Sequence, residues 1–343
     1  MGAAPPLKPS GVVTKSQVPA ESEIIDRLRE IASHPAARGL RDDAAIWQPP
    51  LGRELVLTHD TIARGVHYLP GADPSDIAWK LVATNLSDLA AMGAVPSGIL
   101  IGLTLDREDG AWLERFAAGL ARVLSEYDTA LFGGDTVRAG ATVLGCTAIG
   151  HVERGRALTR IGAQAGDDLY VSGTIGDAGL GLAALRGEAP ADRFLERRHR
   201  LPMPRLALGQ GLFAAGARAA MDVSDGLLID ADRLARASGV AAEIDLALIP
   251  LSKQAGLRLG EADSGPDGRL TAATSGDDYE LLFAVPPAAT SAVVALAGAA
   301  RTPVTRIGGL SAGRGIRVLG MTGEPLAPGR LGFTHDAPST GAR

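Results

Sequence analysis

The stretch Ile77-Ala-Trp-Lys-Leu-Val-Ala-Thr-Asn-Leu-Ser-Asp-Leu-Ala-Ala-Met-Gly-Ala-Val-Pro96 decides the fold class. Ile77, Leu81, Val82, Leu86, Leu89 and Met92 recur at the spacing of one helical face, and Gly93 and Pro96 stop the helix. Ile99-Leu-Ile-Gly-Leu-Thr-Leu105 follows at once and reads as a strand. A helix feeding an apolar strand predicts a sheet packed against helices. Working outward, Ile24, Ile25, Leu28 and Ile31 mark an amphipathic helix over residues 21–33, and residues 112–124 form another. Residues 55–58 read as a short buried strand and residues 141–149 as a second one.

From His151 the composition shifts. Residues 153–160 are charged and punctuated by glycine, which places a domain boundary near Gly150. Strands are then expected at 169–172, 219–223, 242–248, 279–285, 304–307 and 316–319, with helices at 206–214 and 226–237. Residues 173–181 read as a glycine-rich loop, and residues 182–205 as polar, basic toward the end. The chain has 343 residues, room for two domains at about 150 residues each. The expected division is a mobile tail (1–20), an N-terminal domain (21–150), a C-terminal domain (151–335) with its own core, and a second tail (336–343).

Composition excludes several classes of function. A net charge of −5 argues against a protein that coats nucleic acid, which needs an excess of phosphate-pairing cations. The single cysteine, Cys146, cannot form an internal disulfide or a cysteine-based zinc site, and its apolar surroundings make it a core residue. No apolar run is long enough to span a bilayer, and residues 1–20 lack the hydrophobic segment of a secretory signal. The expectation is a cytoplasmic protein.

The main chemical signal is carboxylates beside glycines or at strand ends: Asp42-Asp43, Asp60, Asp88, Asp135 in Gly133-Gly-Asp-Thr136, Asp222, Asp225, and Asp277-Asp278 in Ser275-Gly-Asp-Asp278. One such aspartate is an ordinary turn residue. So many, several of them paired, repel one another unless positive charge sits between them, and Mg²⁺ suits oxygen ligands of this kind. The chain has no Walker-type phosphate loop. Gly173-Thr-Ile-Gly176-Asp-Ala-Gly179-Leu-Gly181 is a weak dinucleotide fingerprint, because no second strand ending in an acid follows it. It stays open between a loop near an anion and a tight turn. The six histidines show neither zinc spacing nor a hydrolase triad.

Taken in order, the motifs resemble the thiamine-monophosphate kinase family of the aminoimidazole-ribonucleotide-synthetase-like (PurM-like) superfamily. They are Asp42-Asp-Ala-Ala45, Thr58-His-Asp60 with Gly65-Val-His67, Asn85-Leu-Ser-Asp-Leu-Ala-Ala-Met-Gly-Ala94 and Gly133-Gly-Asp-Thr136. Tyr170-Val-Ser-Gly-Thr174, Asp222-Val-Ser-Asp-Gly226, Asp278-Tyr-Glu-Leu-Leu-Phe283 and Gly332-Phe333 continue the series. The resemblance implies a two-domain α/β (α+β) PurM-like fold. The N-terminal domains of a homodimer would form a β-barrel with flanking helices, and the C-terminal domain would be α/β. It further implies ATP- and Mg²⁺-dependent conversion of thiamine monophosphate to thiamine diphosphate. By position, Asp43, Thr58, Asp60, Asp88, Asp135, Asp222 and Asp225 match Mg²⁺ ligands, with His59 contributing through its backbone. Gly134, Asp135, Arg160 and Ser224 match ATP contacts. His67, Asp277 and Phe333 match substrate contacts, and Asp88, Asp135 and Asp225 carry the catalytic assignment.

Three positions depart from the family pattern. Arg41 stands where glycine is usual, and would be strained if a positive φ were needed there. Asp277 replaces a glutamate, and Arg64 an acid.

The implied chemistry accounts for the inventory. A phosphate monoester has its second pKa near about 6, so at neutral pH the attacking oxygen is already ionised and no general base is needed. The obstacle is repulsion between two anions, met by positioning and charge neutralisation. Two other readings remain: a selenophosphate- or aminoimidazole-ribonucleotide-synthetase-like enzyme, and a non-catalytic Mg-nucleotide binding protein. Selenophosphate synthesis favours a reactive Cys or selenocysteine near the N-terminus, and the first 145 residues contain none.

Overall fold

The computed structural model describes residues 18–260 and 265–334, so the expected tails lie outside the described residues apart from 18–20. The first half runs α1 (Glu21–Ile31), β1 (Arg53–Ala63), α2 (Pro74–Ala91), β2 (Val95–Leu105), α3 (Gly110–Glu126), β3 (Ala130–Arg138) and β4 (Val143–Glu153). Asp73 caps α2, its Oδ1 accepting from the Ser75 N–H at 3.0 Å, and Pro74 sits in the first turn, where no intrahelical N–H is needed. Gly93, at φ 71°, ends the helix as the sequence predicts.

The sheet order is β1-β4-β2-β3, antiparallel except for the parallel β2–β3 pair. Side chains alternate along β1. Val56 and Ile62 are buried under helices, while Leu55 and Leu57 on the other face are 44% and 61% exposed. The short buried strand expected at 55–58 is therefore an 11-residue strand with one open face. β3 was not expected at all, because Gly133 and Gly134 interrupt its apolar run.

The second half runs β5 (Asp168–Ser172), α4 (Asp177–Leu185), α5 (Arg193–Arg200), α6 (Leu206–Leu212), β6 (Ala219–Val223) and α7 (Leu227–Ser238). It continues through β7 (Ala241–Asp245), α8 (Lys253–Leu259), α9 (Gly265–Ala273), β8 (Glu280–Val285), α10 (Thr290–Ala299), β9 (Val304–Ser311), β10 (Gly315–Leu319) and β11 (Pro325–Leu326). The strands form one mixed sheet, β11-β10-β7-β9-β5-β8-β6. β8, next to the edge strand β6, is buried along its whole length, with Leu281, Phe283 and Val285 facing one core and Leu282 and Ala284 another. A strand covered on both faces reads as a continuous apolar run.

The barrel expectation is corrected here. Neither sheet closes: the first ends at β1 and β3, the second at β11 and β6. Helices α2 and α3 pack on the first sheet through Ile77, Leu81, Phe116 and Leu120, and four strands are far too few to enclose a filled interior. The two-domain α/β PurM-like architecture stands without the barrel.

α2 lies between the halves, against β1 and β4 on one side and α6 and β6 on the other. It is buried nearly all round, including Lys80, Thr84, Asn85 and Ser87. One core consequently runs from the first sheet through α2 to Leu208, Leu212 and Phe283, while a second lies between the second sheet and α7. Among the described residues, no helix is long and apolar enough to cross a membrane.

Candidate active site

Polar groups buried on α2 tie the halves together. The Asn85 side chain donates to the Leu81 carbonyl at 2.9 Å and accepts the Asp60 backbone N–H at 3.0 Å, fixing β1 against the helix. Thr58 and Asp60, two residues apart on β1, share the helix-covered face. The Thr58 hydroxyl donates to Asp88 Oδ2 at 2.5 Å. One residue before Asp88, Ser87 donates to Asp222 Oδ2 at 2.8 Å, where β6 of the other half ends. Asp60, Asp88, Asp222 and Asp225 thus gather where the two sheets meet.

Their electrostatics record the crowding. Burial pushes Asp222 well above the usual carboxylate range, and Asp88, Asp230 and Asp60 add to the rise. Burial raises Asp88 too, Asp60 repelling it while the Thr58 hydroxyl and the Arg160 guanidinium favour its charged form. Asp60 is raised by burial and by Asp225. Among the described residues no three His, Cys, Asp or Glu side chains form a ready-made metal site. Magnesium takes one or two carboxylates per ion and completes its shell with water and phosphate, so partly buried, mutually repelling carboxylates with few donors fit it.

The Asp222–Gly226 turn is held from below. The N–H groups of Ser224 and Asp225 both donate to Asp230 Oδ2 at 3.1 Å, and Arg233 bridges Asp230 Oδ1 and Asp225 Oδ2 at 2.8 and 2.5 Å. Gly226 has φ 127°, and a Cβ there would meet the Thr274 backbone at 3.2 Å. The Asp277 and Phe333 N–H groups donate to the Ser224 and Asp225 carbonyls, each at 2.8 Å, bringing three distant segments together.

A second group surrounds Lys80. Its Nζ donates to Asp277 Oδ2 at 2.9 Å and to the His67 carbonyl at 3.0 Å. Tyr279 donates to Asp277 Oδ1 at 3.3 Å. Burial alone would raise Asp277, but Lys80, with His199 and Tyr279, holds it below the usual range. Behind it, Glu280 is wholly buried and accepts from Arg198, Arg205 and Ser172.

Comparison with known proteins then identifies the chain. Residues 41–152 match the AIR synthase related protein N-terminal domain, and residues 164–320 the C-terminal domain of the same family. Thiamine-monophosphate kinase of Caulobacter vibrioides is 41% identical over 322 residues, 92% of this chain and 91% of that one. The chain belongs to the thiamine-monophosphate kinase family. The crystal structure of the kinase from Stenotrophomonas maltophilia superposes with a TM-score of 0.77 at 40% identity, covering 87% of this chain and 94% of that one. AaThiL complexed with AMPPCP and TMP superposes with a TM-score of 0.74 at 29% identity, covering 96% and 100%.

Not every residue singled out from the kinase motifs joins the cluster. Asp43 is exposed in the loop before β1. His59 faces away from Asp60, its Nδ1 2.8 Å from Thr147 Oγ1, so only its backbone lies on the site's strand. Asp135 pairs with Gly102, which pairs with Gly145 and so with Thr61, placing its side chain on the open face of the sheet. Gly134 is exposed beside it, and a Cβ there would meet the Ile101 carbonyl at 2.1 Å. Arg160 is exposed but close enough to act on Asp88. Phe333 is 48% exposed.

The departures also resolve. Arg41 has φ −115°, so no strain arises; positive φ falls instead on Arg38, Gly39 and Leu40. Arg64 pairs with Glu108 and with Thr142 Oγ1. The glycine-rich loop is the start of α4, and it holds a side chain of the protein itself: the Gly176 N–H donates to Asp278 Oδ2 at 2.7 Å, and burial pushes that carboxyl's pKa up to about 8.

Sequence reasoning missed Lys80, Asn85, Ser87, His199, Tyr279 and Asp230 as parts of the site. Asn85 and Ser87 lay inside a quoted motif. A lysine among apolar residues of a packed helix is the signal that would have found Lys80, since buried lysines require a partner.

Proposed function

We propose that the protein transfers the γ-phosphoryl group of ATP directly to the phosphate of thiamine monophosphate, giving thiamine diphosphate and ADP. The observation that carries this reading is the convergence of Asp60, Asp88, Asp222 and Asp225 from both halves, with Arg160 beside Asp88. The attacking oxygen of the substrate phosphate is already ionised, so the γ-phosphorus–oxygen bond to ADP breaks as the new bond forms and no proton need move. Thr58, Asp60, Asp88, Asp222 and Asp225 would hold Mg²⁺, which when bound neutralises charge on the phosphates. Arg160 and Ser224 contact the nucleotide. His67, Asp277 and Phe333 contact thiamine monophosphate, the first two organised by Lys80. These substrates place the work in the cytoplasm.

Asp135 fits the same reading only through a second copy of the chain. It lies three strands from Asp60 on the opposite face, about 14 Å at strand spacing. That open face exposes Leu55, Leu57, Leu100 and Val137. A homodimer covering it would carry Gly134 and Asp135 of one copy to the partner's site.

A coupled ADP-release assay with and without thiamine monophosphate tests the activity. ADP release that depends on thiamine monophosphate and Mg²⁺ is expected. Release indifferent to thiamine monophosphate, or none at all, would refute the reading.

A further inference from the structure

Where β1 ends, the chain is clasped to its neighbours through one charged pair. Arg64 follows Ala63, and its Nη2 donates to Glu108 Oε1 and, at 3.0 Å, to Thr142 Oγ1; the Thr142 hydroxyl donates in turn to the same Glu108 oxygen. The Arg64 backbone N–H donates to the Thr142 carbonyl at 3.3 Å. Thr142 immediately precedes β4, and Glu108 lies between β2 and Asp109, whose side chain caps α3 by accepting the Trp112 N–H at 2.8 Å. Both are therefore rooted where regular elements of the first half begin or end. The Glu108 side chain is 2% exposed, against 40% for Arg64, and its Oε2 has no hydrogen-bond partner among the described residues. A buried carboxylate with half its acceptor capacity unmet depends on its cation, so the pair stays closed.

What the clasp holds is a short loop closed on itself. Arg64 and Tyr68 form an isolated bridge, the Gly65 N–H donates to the Tyr68 carbonyl at 2.8 Å, and the His67 N–H donates to the Ala63 carbonyl at 3.0 Å. The Ala63 N–H donates to His67 Nδ1 at 3.1 Å, which leaves Nε2 as the nitrogen of that ring that can donate. The His67 carbonyl accepts from Lys80, and Lys80 donates onward to Asp277. Tyr68, 7% exposed, fixes the far end of the loop in the core. Arg64 fixes the near end, and His67 is carried between the two anchors. A continuous run of polar contacts thus leads from Glu108, at the end of the first sheet, through the loop to Lys80 and Asp277.

We propose that Arg64 and Glu108 are positioning residues, whose ion pair sets the placement of His67 and the backbone carbonyl that orients Lys80, and so tunes the affinity for the phosphoryl acceptor. Their role rests on thiamine monophosphate being that acceptor and on His67 contacting it. The nucleotide end of the site, built on Ser224 and Arg160, lies outside the run of contacts and is indifferent to the clasp.

Arg64→Leu alone strands the Glu108 charge, so the test joins it to Glu108→Leu, which opens the clasp and leaves no uncompensated charge. Glu108→Gln is the conservative variant, because its amide oxygen still accepts from Arg64 and Thr142; circular dichroism and melting establish that each protein is folded. In the double variant KM for thiamine monophosphate should rise about fivefold or more, with kcat and KM for ATP within about twofold of wild type. Amide hydrogen exchange at Gly65 and His67 should quicken about tenfold or more, ahead of the strands of the first sheet. Glu108→Gln should show smaller changes in the same directions. A folded double variant whose KM for thiamine monophosphate stays within about twofold of wild type would overturn the proposal and leave the phosphoryl-transfer reading intact. So would a lowered Tm with exchange quickened evenly across the first sheet and both KM values unchanged, the mark of a role in stability alone. A wild-type enzyme inactive on thiamine monophosphate would overturn both.

Discussion

Replacing Glu280 with Gln should destabilise the protein more than its single-atom change suggests. The carboxylate is fully buried and accepts from four donors: Arg198 Nη2 at 2.8 Å, Arg205 Nε at 2.7 Å and Nη2 at 2.5 Å, and the Ser172 hydroxyl at 2.6 Å. Arg198 and Arg205 are themselves only 9% and 16% exposed, so neither guanidinium can turn to water. Glutamine removes the charge and points an amide N–H₂ at one of them. Breaking one partner of a buried ion pair costs about 3–5 kcal/mol, against a total stability of about 5–15 kcal/mol. At roughly 2–4 °C per kcal/mol for a chain of this class, Tm should fall by roughly 6–20 °C. The pH dependence carries its own signature. Burial alone would raise the Glu280 pKa, but Arg205, Arg198 and Ser172 together hold it below the ordinary 4.5. Its contribution is therefore fully present above pH 4.5 and is lost as pH falls through the lowered folded value. Differential scanning calorimetry of both proteins at neutral pH and in mild acid measures the gap, which should narrow on acidification. A variant melting within about 2 °C of wild type at neutral pH would refute the argument.

Asp88→Asn preserves shape and one acceptor oxygen, so the fold should survive; kcat should drop by about two orders of magnitude, with partial rescue at high Mg²⁺. Steady-state kinetics across Mg²⁺ concentrations check this, and near wild-type kcat with an unchanged Mg²⁺ requirement would remove Asp88 from the metal site. Mixing Asp88→Asn with Asp135→Asn subunits should restore about a quarter of wild-type activity if Asp135 serves the partner's site, since random pairing gives half heterodimers, each with one intact site. No recovery in mixtures shown to exchange subunits would confine Asp135 to its own chain.

How much of this could be read in advance differed by element. The helix at α2 and the strand after it were plain, because apolar spacing and Gly93 act locally. The open face of β1 was not: four residues of apolar run gave too short a window for the alternation that continues to Ala63. β3 was lost to Gly133 and Gly134, whose place in the sheet depends on β2 alongside rather than on their own propensity. At the site, the carboxylates stood out one by one, but their grouping did not. Lys80 reaches Asp277 across 197 residues of sequence, and His199 sits in a basic run that reads as solvated surface. Long-range pairs of this kind leave no periodicity behind them.

The burial of α2 on every side has a consequence for synthesis. Its far face is covered by α6, β6 and β8, which carry core residues as distant as Leu212 and Phe283, the last about 190 residues beyond Ala91. At ribosomal rates of roughly 5–20 residues per second, that face waits roughly 10–40 s for its cover. During that interval the nascent first half presents Leu81, Leu86, Leu89 and their neighbours with only part of their final packing. Apolar surface left open in this way is prone to aggregate, and slow codons placed before the second half is complete would lengthen its exposure.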